Sequence, residues 1–318
     1  MENIFTIHSF NLCPFSRQVR LLLEEMNINR DSTFAIMLAA QKRGYENWYC
    51  LPHNMWAEKN KVYGNMTRVN VERKDPHYEN ISSETLDLST FDAVFMRKDP
   101  PFNMEYIHST YILSILKNQT KVINDPDGIR TANEKVFILN FPDLITDTIV
   151  TKNRDVIRNF LNKVDGHMVL KPLDKRGGEG IFIVKSDDKN TQALIDVSTD
   201  YGNTSIMVQR YIPEAVQGDK RIIIINGEPL GAFIRKPSEY DHRGNLCAGA
   251  TSVECEITTR EKYICDTLRP KLNELGLKFV GIDILGNYLS EVNVTSPTGL
   301  QEIANMYGVN IEENILED

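Results

Sequence analysis

"VGIDILGNYLSEVNVTSP", residues 280–297, sets Asp283, Glu291 and Asn293 into largely apolar sequence. It reads as two strands joined by the "GN" pair at 286–287. Side chains two apart on a strand share a face, so Glu291 and Asn293 point the same way, and Asp283 sits on the neighbouring strand across a short turn. Two carboxylates and an amide among apolar strands are costly unless they are paired or bind a metal. The set suits Mg²⁺, which takes oxygen ligands and shares its shell with substrate phosphates. A salt-bridged pair at strand ends is the plain alternative at this point.

Upstream stretches add charge of the opposite sign. In "LKPLDKRGGEGIF" (170–182) Lys171 follows an apolar strand, and Gly177, Gly178 and Gly180 form a turn whose backbone N–H groups can approach a phosphate. The spacing is neither that of a P-loop nor that of a dinucleotide fingerprint, and a glycine-rich hairpin turn explains it equally well. "GDKRIIIING" (218–227) places Asp219, Lys220 and Arg221 at the mouth of a buried strand, where Arg221 could meet phosphoryl charge or serve as an ordinary strand-end cation. "TANEK" (131–135) supplies Lys135 at a helix start, a phosphate contact or a solvated lysine. "VQRYIPE" (208–214) reads as a strand that turns at Pro213; its backbone can face a purine edge, and it is equally a plain strand end.

The surrounding chain divides into two patterns. Strand, helix and strand follow one another in "FDAVFMRKDPPF" (91–102), "NMEYIHSTYILSILKNQ" (103–119) and "KVIND" (121–125). That order implies a parallel α/β layer, with ligands beyond the carboxyl ends of its strands. "RKDPP" lies at one such end. "NRDSTFAIMLAAQKRGYE" (29–46) reads as a helix capped by Asp31 or Ser32 and stopped at Gly44, and "KVYGNMTRVNVER" (61–73) as a hairpin. From about residue 130 the pattern becomes α+β: a Pro/Gly linker, a run of antiparallel strands over 205–236 with "NGEP" as a turn, and a helix ending at Gly276.

The chain has 318 residues, 41% hydrophobic and 25% charged, and a net charge of −8. No long basic run offsets that charge, which argues against nucleic acid as a partner. No apolar run approaches the roughly 18 residues of a membrane span, and no signal-peptide pattern opens the chain. The five cysteines, Cys13, Cys50, Cys247, Cys255 and Cys265, have neither paired nor metal-ligand spacing. Reduced thiols in a cytoplasmic protein are the expectation.

Taken in order, two lysines, a glycine-rich flap, a basic strand mouth and a D…E-x-N cluster resemble an ATP-grasp ligase. "MRKDPPF", "NEK", "LKPLD" with "GG", "GDKR", "RGNL" with "AG" and "EVNVTSPTG" closely resemble the prokaryotic glutathione synthetase family, from about Asn27 to Ile303. The resemblance implies an N-terminal parallel α/β substrate domain (27–128) followed by an ATP-grasp domain (129–318), with ATP between two α+β subdomains, a lid (129–200) and a core (201–318). It implies ligation of glycine to γ-glutamylcysteine through an acyl phosphate, giving glutathione, ADP and phosphate. Lys135, Lys171, Gly177, Gly178, Gln209, Tyr211 and Ile212 would hold ATP, and Asp283, Glu291 and Asn293 would hold Mg²⁺, with Mn²⁺ as a substitute. Arg221 and Arg243 would serve the chemistry, and Arg97, Arg243 and Asn245 the peptide substrate. "YDHRGNLCAGATS" (240–252) would cover the intermediate, with Cys247 and Cys255 in or near it. An assembly of identical subunits is expected.

A second resemblance points elsewhere. "NLCPFSRQVRLLLEEMNI" (11–28) resembles the first helix of a glutathione transferase or glutaredoxin-like domain, with Cys13 at the helix start. The remaining strands of such a domain are absent, so residues 1–26 are expected to be a structural graft whose strand "NIFTIHSF" joins the parallel sheet. Two other functions stay open: a different ATP-grasp carboxylate–amine ligase, and a glutathione-binding redox module that uses Cys13.

Overall fold

A computed structural model describes residues 4–8 (backbone only), 28–175, 177–237 and 250–317. The helix expected over residues 14–26, Cys13, Arg243, Asn245, Cys247 and most of the expected covering loop lie outside the described residues.

The N-terminal sheet is built from β1 (Ile4–His8), β2 (Glu46–Cys50), β3 (Met55–Glu58), β4 (Lys61–Val71), β5 (Tyr78–Asp87), β6 (Ala93–Met96) and β7 (Lys121–Ile123). Its order is β3-β4-β2-β1-β6-β7, with β5 also paired to β4. β1 runs parallel to both β2 and β6, and β7 runs parallel to β6, so the sheet is parallel on that side. β4 is antiparallel to β2, β3 and β5. The sheet is therefore mixed, not parallel throughout.

The hairpin expected over 61–73 is also corrected. Lys61–Val71 is one continuous strand, and its hairpin partners are β3 and β5. "GN" at 64–65 reads as a turn signal, but Gly64 faces the core: a Cβ there would come within 2.8 Å of Met66 Sδ and 3.2 Å of Leu88. This glycine marks close packing inside a strand. Buried positions then slip from Met66 to Val69 across a register shift at Arg68/Val69, which blurs the alternation in the sequence.

Helix α1 (Ser32–Lys42) starts at Asp31, whose Oδ1 accepts from Phe34 N at 2.7 Å, and ends before Gly44 at φ +86°. Phe34, Ile36, Met37, Ala39 and Ala40 are all buried beneath it. At its start, the Ser32 hydroxyl accepts from the backbone N–H groups of Gly299 and Leu300 at 3.2 and 3.3 Å. Helix α2 (Met104–Ser114) lies between β6 and β7, and α3 (Pro126–Thr131) occupies the stretch read as linker, with Pro126 in its first turn.

A four-stranded antiparallel sheet follows, from β8 (Thr148–Thr151), β9 (His167–Pro172), β10 (Phe182–Lys185) and β11 (Ile206–Arg210), in the order β10-β9-β11-β8. Helices α4 (Arg154–Lys163) and α5 (Thr191–Ser198) close its own small core with Ile157, Phe160, Leu161, Ile195 and Val208. The five-stranded antiparallel sheet has β12 (Asp219–Ile225), β13 (Glu228–Lys236), β14 (Thr251–Glu254), β15 (Phe279–Leu285) and β16 (Tyr288–Asn293), in the order β14-β13-β12-β15-β16. Asn226 and Gly227, with φ of +52° and +82°, make the two-residue turn between β12 and β13. Such a turn matches the twist of its strands. The strand run over 205–236 thus splits between two sheets: β11 belongs with β8–β10, and the chain changes sheet between Arg210 and Asp219. Helices α6 (Thr259–Glu274, with a Thr258/Glu261 capping box) and α7 (Leu300–Tyr307) complete this half. No helix among the described residues is long and apolar enough to cross a membrane.

Buried Asn124 joins the N-terminal sheet to the five-stranded one. Its Nδ2 donates to the carbonyls of Phe279 (2.7 Å) and Val294 (2.8 Å), and its Oδ1 accepts from Phe279 N (2.8 Å). Asn124→Ala strips these buried main-chain groups of that partner and is expected to cost about 3 kcal/mol. Urea unfolding measures it; a loss under about 0.5 kcal/mol would contradict this joint.

Candidate active site

The floor of the site follows from strand register. Arg221 on β12 faces Asp283 on β15, and Asp283 faces Glu291 on β16, while Asn293 pairs with Gly281 one step along. The Arg221 guanidinium grips Asp283 with both Nε (2.5 Å to Oδ1) and Nη2 (3.0 Å to Oδ2). Arg235, on β13, donates to Asp283 Oδ2 at 2.9 Å and also pairs with Asp219, its partner in register across β12 and β13. Asn293 Nδ2 adds a fourth donor to Asp283, 3.2 Å from Oδ2.

Burial alone would push the Asp283 carboxyl up, but the Arg221 and Arg235 guanidiniums outweigh it and hold it well below the usual carboxylate range. Burial pushes Asp219 up, against the pull of Arg235. The floor is therefore a charged cluster in the interior, with Asp283 ionised at neutral pH.

Above this floor lies a cleft of about 780 Å³ between the four- and five-stranded sheets. From the four-stranded sheet, Lys171 on β9 reaches across to Ser290 on β16, Nζ to Oγ 3.0 Å. Burial depresses its ammonium pKa, and Glu291 partly restores it. Lys135 precedes the 3₁₀ turn Val136–Asn140; its Nζ donates to the Lys175 carbonyl at 2.8 Å and lies 3.9 Å from Glu291 Oε1. Gly177 and Gly178 border the cleft at φ +66° and +76°, conformations that favour glycine. At the other end are Gln209, whose Nε2 donates to Thr148 Oγ1 at 2.9 Å, Tyr211 and Ile212.

Arg97 is not brought into this cleft. It is buried behind the wall, donating to Thr33 Oγ1 (3.2 Å) and the Pro297 carbonyl (2.9 Å), with its guanidinium 5.0 Å above the Phe279 ring. It touches the loop that holds Pro297, which itself borders the cleft.

Several site residues escaped the sequence reading. Arg235 stands two positions from buried Phe233 on an apolar strand, a spacing that could have marked it as inward-facing. Glu134 borders the cleft, takes a 2.6 Å hydrogen bond from the Thr295 hydroxyl and is pushed up by burial. Among the described cysteines, Cys50 and Cys265 are buried, and burial pushes the Cys265 thiol up to about 12. Neither has the depressed pKa of a reactive thiol.

The donor set fits Mg²⁺. Asp283, Glu291 and Asn293 offer hard oxygen atoms on adjacent strands, and no group of three or more His, Cys, Asp or Glu poised for a metal occurs among the described residues. Four donors already saturate Asp283, so a cation there takes the place of one of them. Asn293 is the weakest of the four by distance, and a half-turn of its amide presents oxygen in place of nitrogen.

Comparison with known proteins identifies the family. The family model for the prokaryotic glutathione synthetase N-terminal domain matches residues 22–130, and that for the prokaryotic glutathione synthetase ATP-grasp domain matches residues 134–308. A glutathione synthetase of Synechocystis sp. is 41% identical over 305 residues, covering 92% of this chain and 95% of that one. One of Agrobacterium fabrum is 40% identical over 287 residues, covering 90% of each. Solved structures share the fold at low identity. The D-cycloserine synthetase DcsG has a TM-score of 0.66 at 13% identity, covering 99% of each chain. The ATP-grasp ligase PsnB, complexed with a precursor variant, Mg and ADP, has a TM-score of 0.58 at 14% identity, covering 99% of this chain and 96% of that one. The fold is thus mixed α/β with an ATP-grasp domain, and the family binds ATP. No comparison supports a transferase- or glutaredoxin-like segment at 11–28: the synthetase N-terminal model already begins at residue 22, and β1 is an inner strand of the synthetase sheet. The chain belongs, across both domains, to the prokaryotic glutathione synthetase family of ATP-grasp ligases.

Proposed function

We propose that the cleft joins glycine to γ-glutamylcysteine, cleaving ATP to ADP and phosphate. The observation that carries this reading is the convergence of Lys135, Lys171, Arg221 and Arg235 with Asp283 and Glu291 on one cleft between two sheets. That arrangement suits charge neutralisation and positioning.

A carboxylate is a poor electrophile until one of its oxygens becomes part of a leaving group. An oxygen of the cysteinyl carboxylate attacks the terminal phosphorus of ATP, ADP departs, and an acyl phosphate results. The glycine amine attacks the acyl carbon, the C–O bond breaks, phosphate leaves with that oxygen, and the amine loses a proton. Lys135 and Lys171 bind the phosphates, and the Gly177 and Gly178 backbone covers them. Gln209, Tyr211 and Ile212 border the base. Arg221 meets the charge of the transferring phosphoryl group. Asp283, Glu291 and Asn293 hold Mg²⁺, or Mn²⁺ in its place, which when bound neutralises phosphate charge. Arg243 and Asn245 keep the roles that the family resemblance gives them at the peptide and the covering loop. The lid is assigned to 129–200 and the core to 201–318, with residues 27–128 as the substrate domain. The reading extends to an assembly of identical subunits.

Two measurements test it. Wild-type protein is expected to release phosphate and form glutathione in equal amounts only when ATP, γ-glutamylcysteine and glycine are all present. Glu291→Ala is expected to lose at least about 100-fold in rate, the scale of removing one charge-stabilising group. A wild type that makes no glutathione, or an unimpaired mutant, overturns the mechanism.

The floor makes a separate demand on stability. A carboxyl depressed in the fold, as Asp283 is, contributes stability above its unfolded value of about 3.9 and loses it as pH falls through the folded value. Arg235→Met removes one of its counter-charges and leaves Asp219 and Asp283 facing each other. The variant is expected to lose about 3–5 kcal/mol and to unfold in acid at a higher pH than wild type. Circular dichroism against urea and against pH checks both; an unchanged acid midpoint would contradict the pairing.

A further inference from the structure

The His167 and Tyr211 rings lie face to face, with centroids 3.9 Å apart and planes within 19°. His167 opens β9 on the same face as Val169 and Lys171, both of which border the cleft. Its carbonyl also accepts from the Tyr211 N–H at 3.1 Å. One residue therefore holds Tyr211 twice, once through the main chain and once through the ring.

Tyr211 needs that hold. It follows the last residue of β11 and precedes the 3₁₀ turn Pro213–Gln217, so only its link back to His167 continues the β11–β9 ladder there. The His167 ring is suited to act as a flat apolar plate. Its Nε2 is buried without a hydrogen-bond partner among the described residues. Burial, and then Lys185 opposite it on β10, lower its pKa below the ordinary histidine value, so the ring is neutral at neutral pH.

We infer that His167 is a positioning residue for the nucleotide base: its stack on Tyr211 fixes the main chain of Tyr211 and Ile212 at the base end of the cleft. The inference rests on the reading of that end as the purine site. His167 itself does not border the cleft, so it acts through Tyr211. An aromatic pair of this kind carries enough energy to shift affinity about threefold to tenfold.

The test is steady-state kinetics on the full chain with ATP, γ-glutamylcysteine and glycine varied in turn, together with calorimetric titration of ATP alone. In His167→Ala the KM and Kd for ATP are expected to rise about threefold to tenfold, with kcat and the other two KM values unchanged. His167→Phe, which keeps a neutral flat ring, is expected to restore the wild-type values. An unchanged ATP affinity in His167→Ala overturns the inference. So does a fall in kcat with all three KM values altered, or a phenylalanine variant as poor as the alanine one. Lys171→Met separates the two readings. If it weakens ATP and His167→Ala does not, the positioning role fails and the nucleotide site stands. If neither weakens ATP, both fail.

Discussion

A carboxylate sits inside this protein because two guanidiniums meet it there. Asp283 is buried on β15 between Ile282 and Ile284, and an isolated charge there would be costly. Arg221 on one neighbouring strand and Arg235 on the next bring the compensating charge, and Asp219 shares the second of them. Four residues from three strands thus fix one another, which sets the register of β12, β13 and β15 as firmly as the apolar side chains do. With two guanidiniums against two carboxylates the cluster itself is balanced, so the positive charge facing the cleft comes from Lys135 and Lys171 above it.

Polar links join the four-stranded sheet and its flanking loops to this floor. Lys171 crosses to Ser290, Lys135 reaches the Lys175 carbonyl, and the Glu134 carbonyl accepts from Val292 N at 2.9 Å. The four-stranded sheet has a small apolar core on its helix side, and through Met207 and Val150 it also packs on a core of the rest of the molecule. The cleft is therefore bounded on one side by this small sheet and on the other by the bulk of the molecule. Lys135 and Lys171 stand on this boundary, buried yet bordering the cleft.

The sequence showed its hairpins most clearly. "LGNY" at 285–288, "INGE" at 225–228 and the glycine-rich turn after Pro172 all pair short turn residues with apolar runs, and each joins antiparallel strands as read. The single long strand Lys61–Val71 was hidden because its alternation slips at Arg68/Val69, and Gly64 makes room within it for Met66 and Leu88. Arg97 stands in sequence at a strand end beside charged neighbours, with no local sign of what packs on it. Only the fold reveals that α1 and the Pro297 loop close over it. Arg235 was missed because its partners, Asp219 and Asp283, lie 16 and 48 positions away in sequence and meet it only through register. Local signals thus marked the donors on β15 and β16, whereas the long-range pairs that make those donors tolerable did not show.

The central claim is that the cysteinyl carboxylate is activated by phosphorylation in a cleft organised around Asp283. Following an oxygen atom tests it most directly. γ-Glutamylcysteine carrying oxygen-18 in its cysteinyl carboxylate is turned over with ATP and glycine, and the released phosphate is analysed by mass spectrometry. An acyl phosphate requires that each phosphate formed with glutathione carry one labelled oxygen. Phosphate free of label while glutathione accumulates would contradict the account.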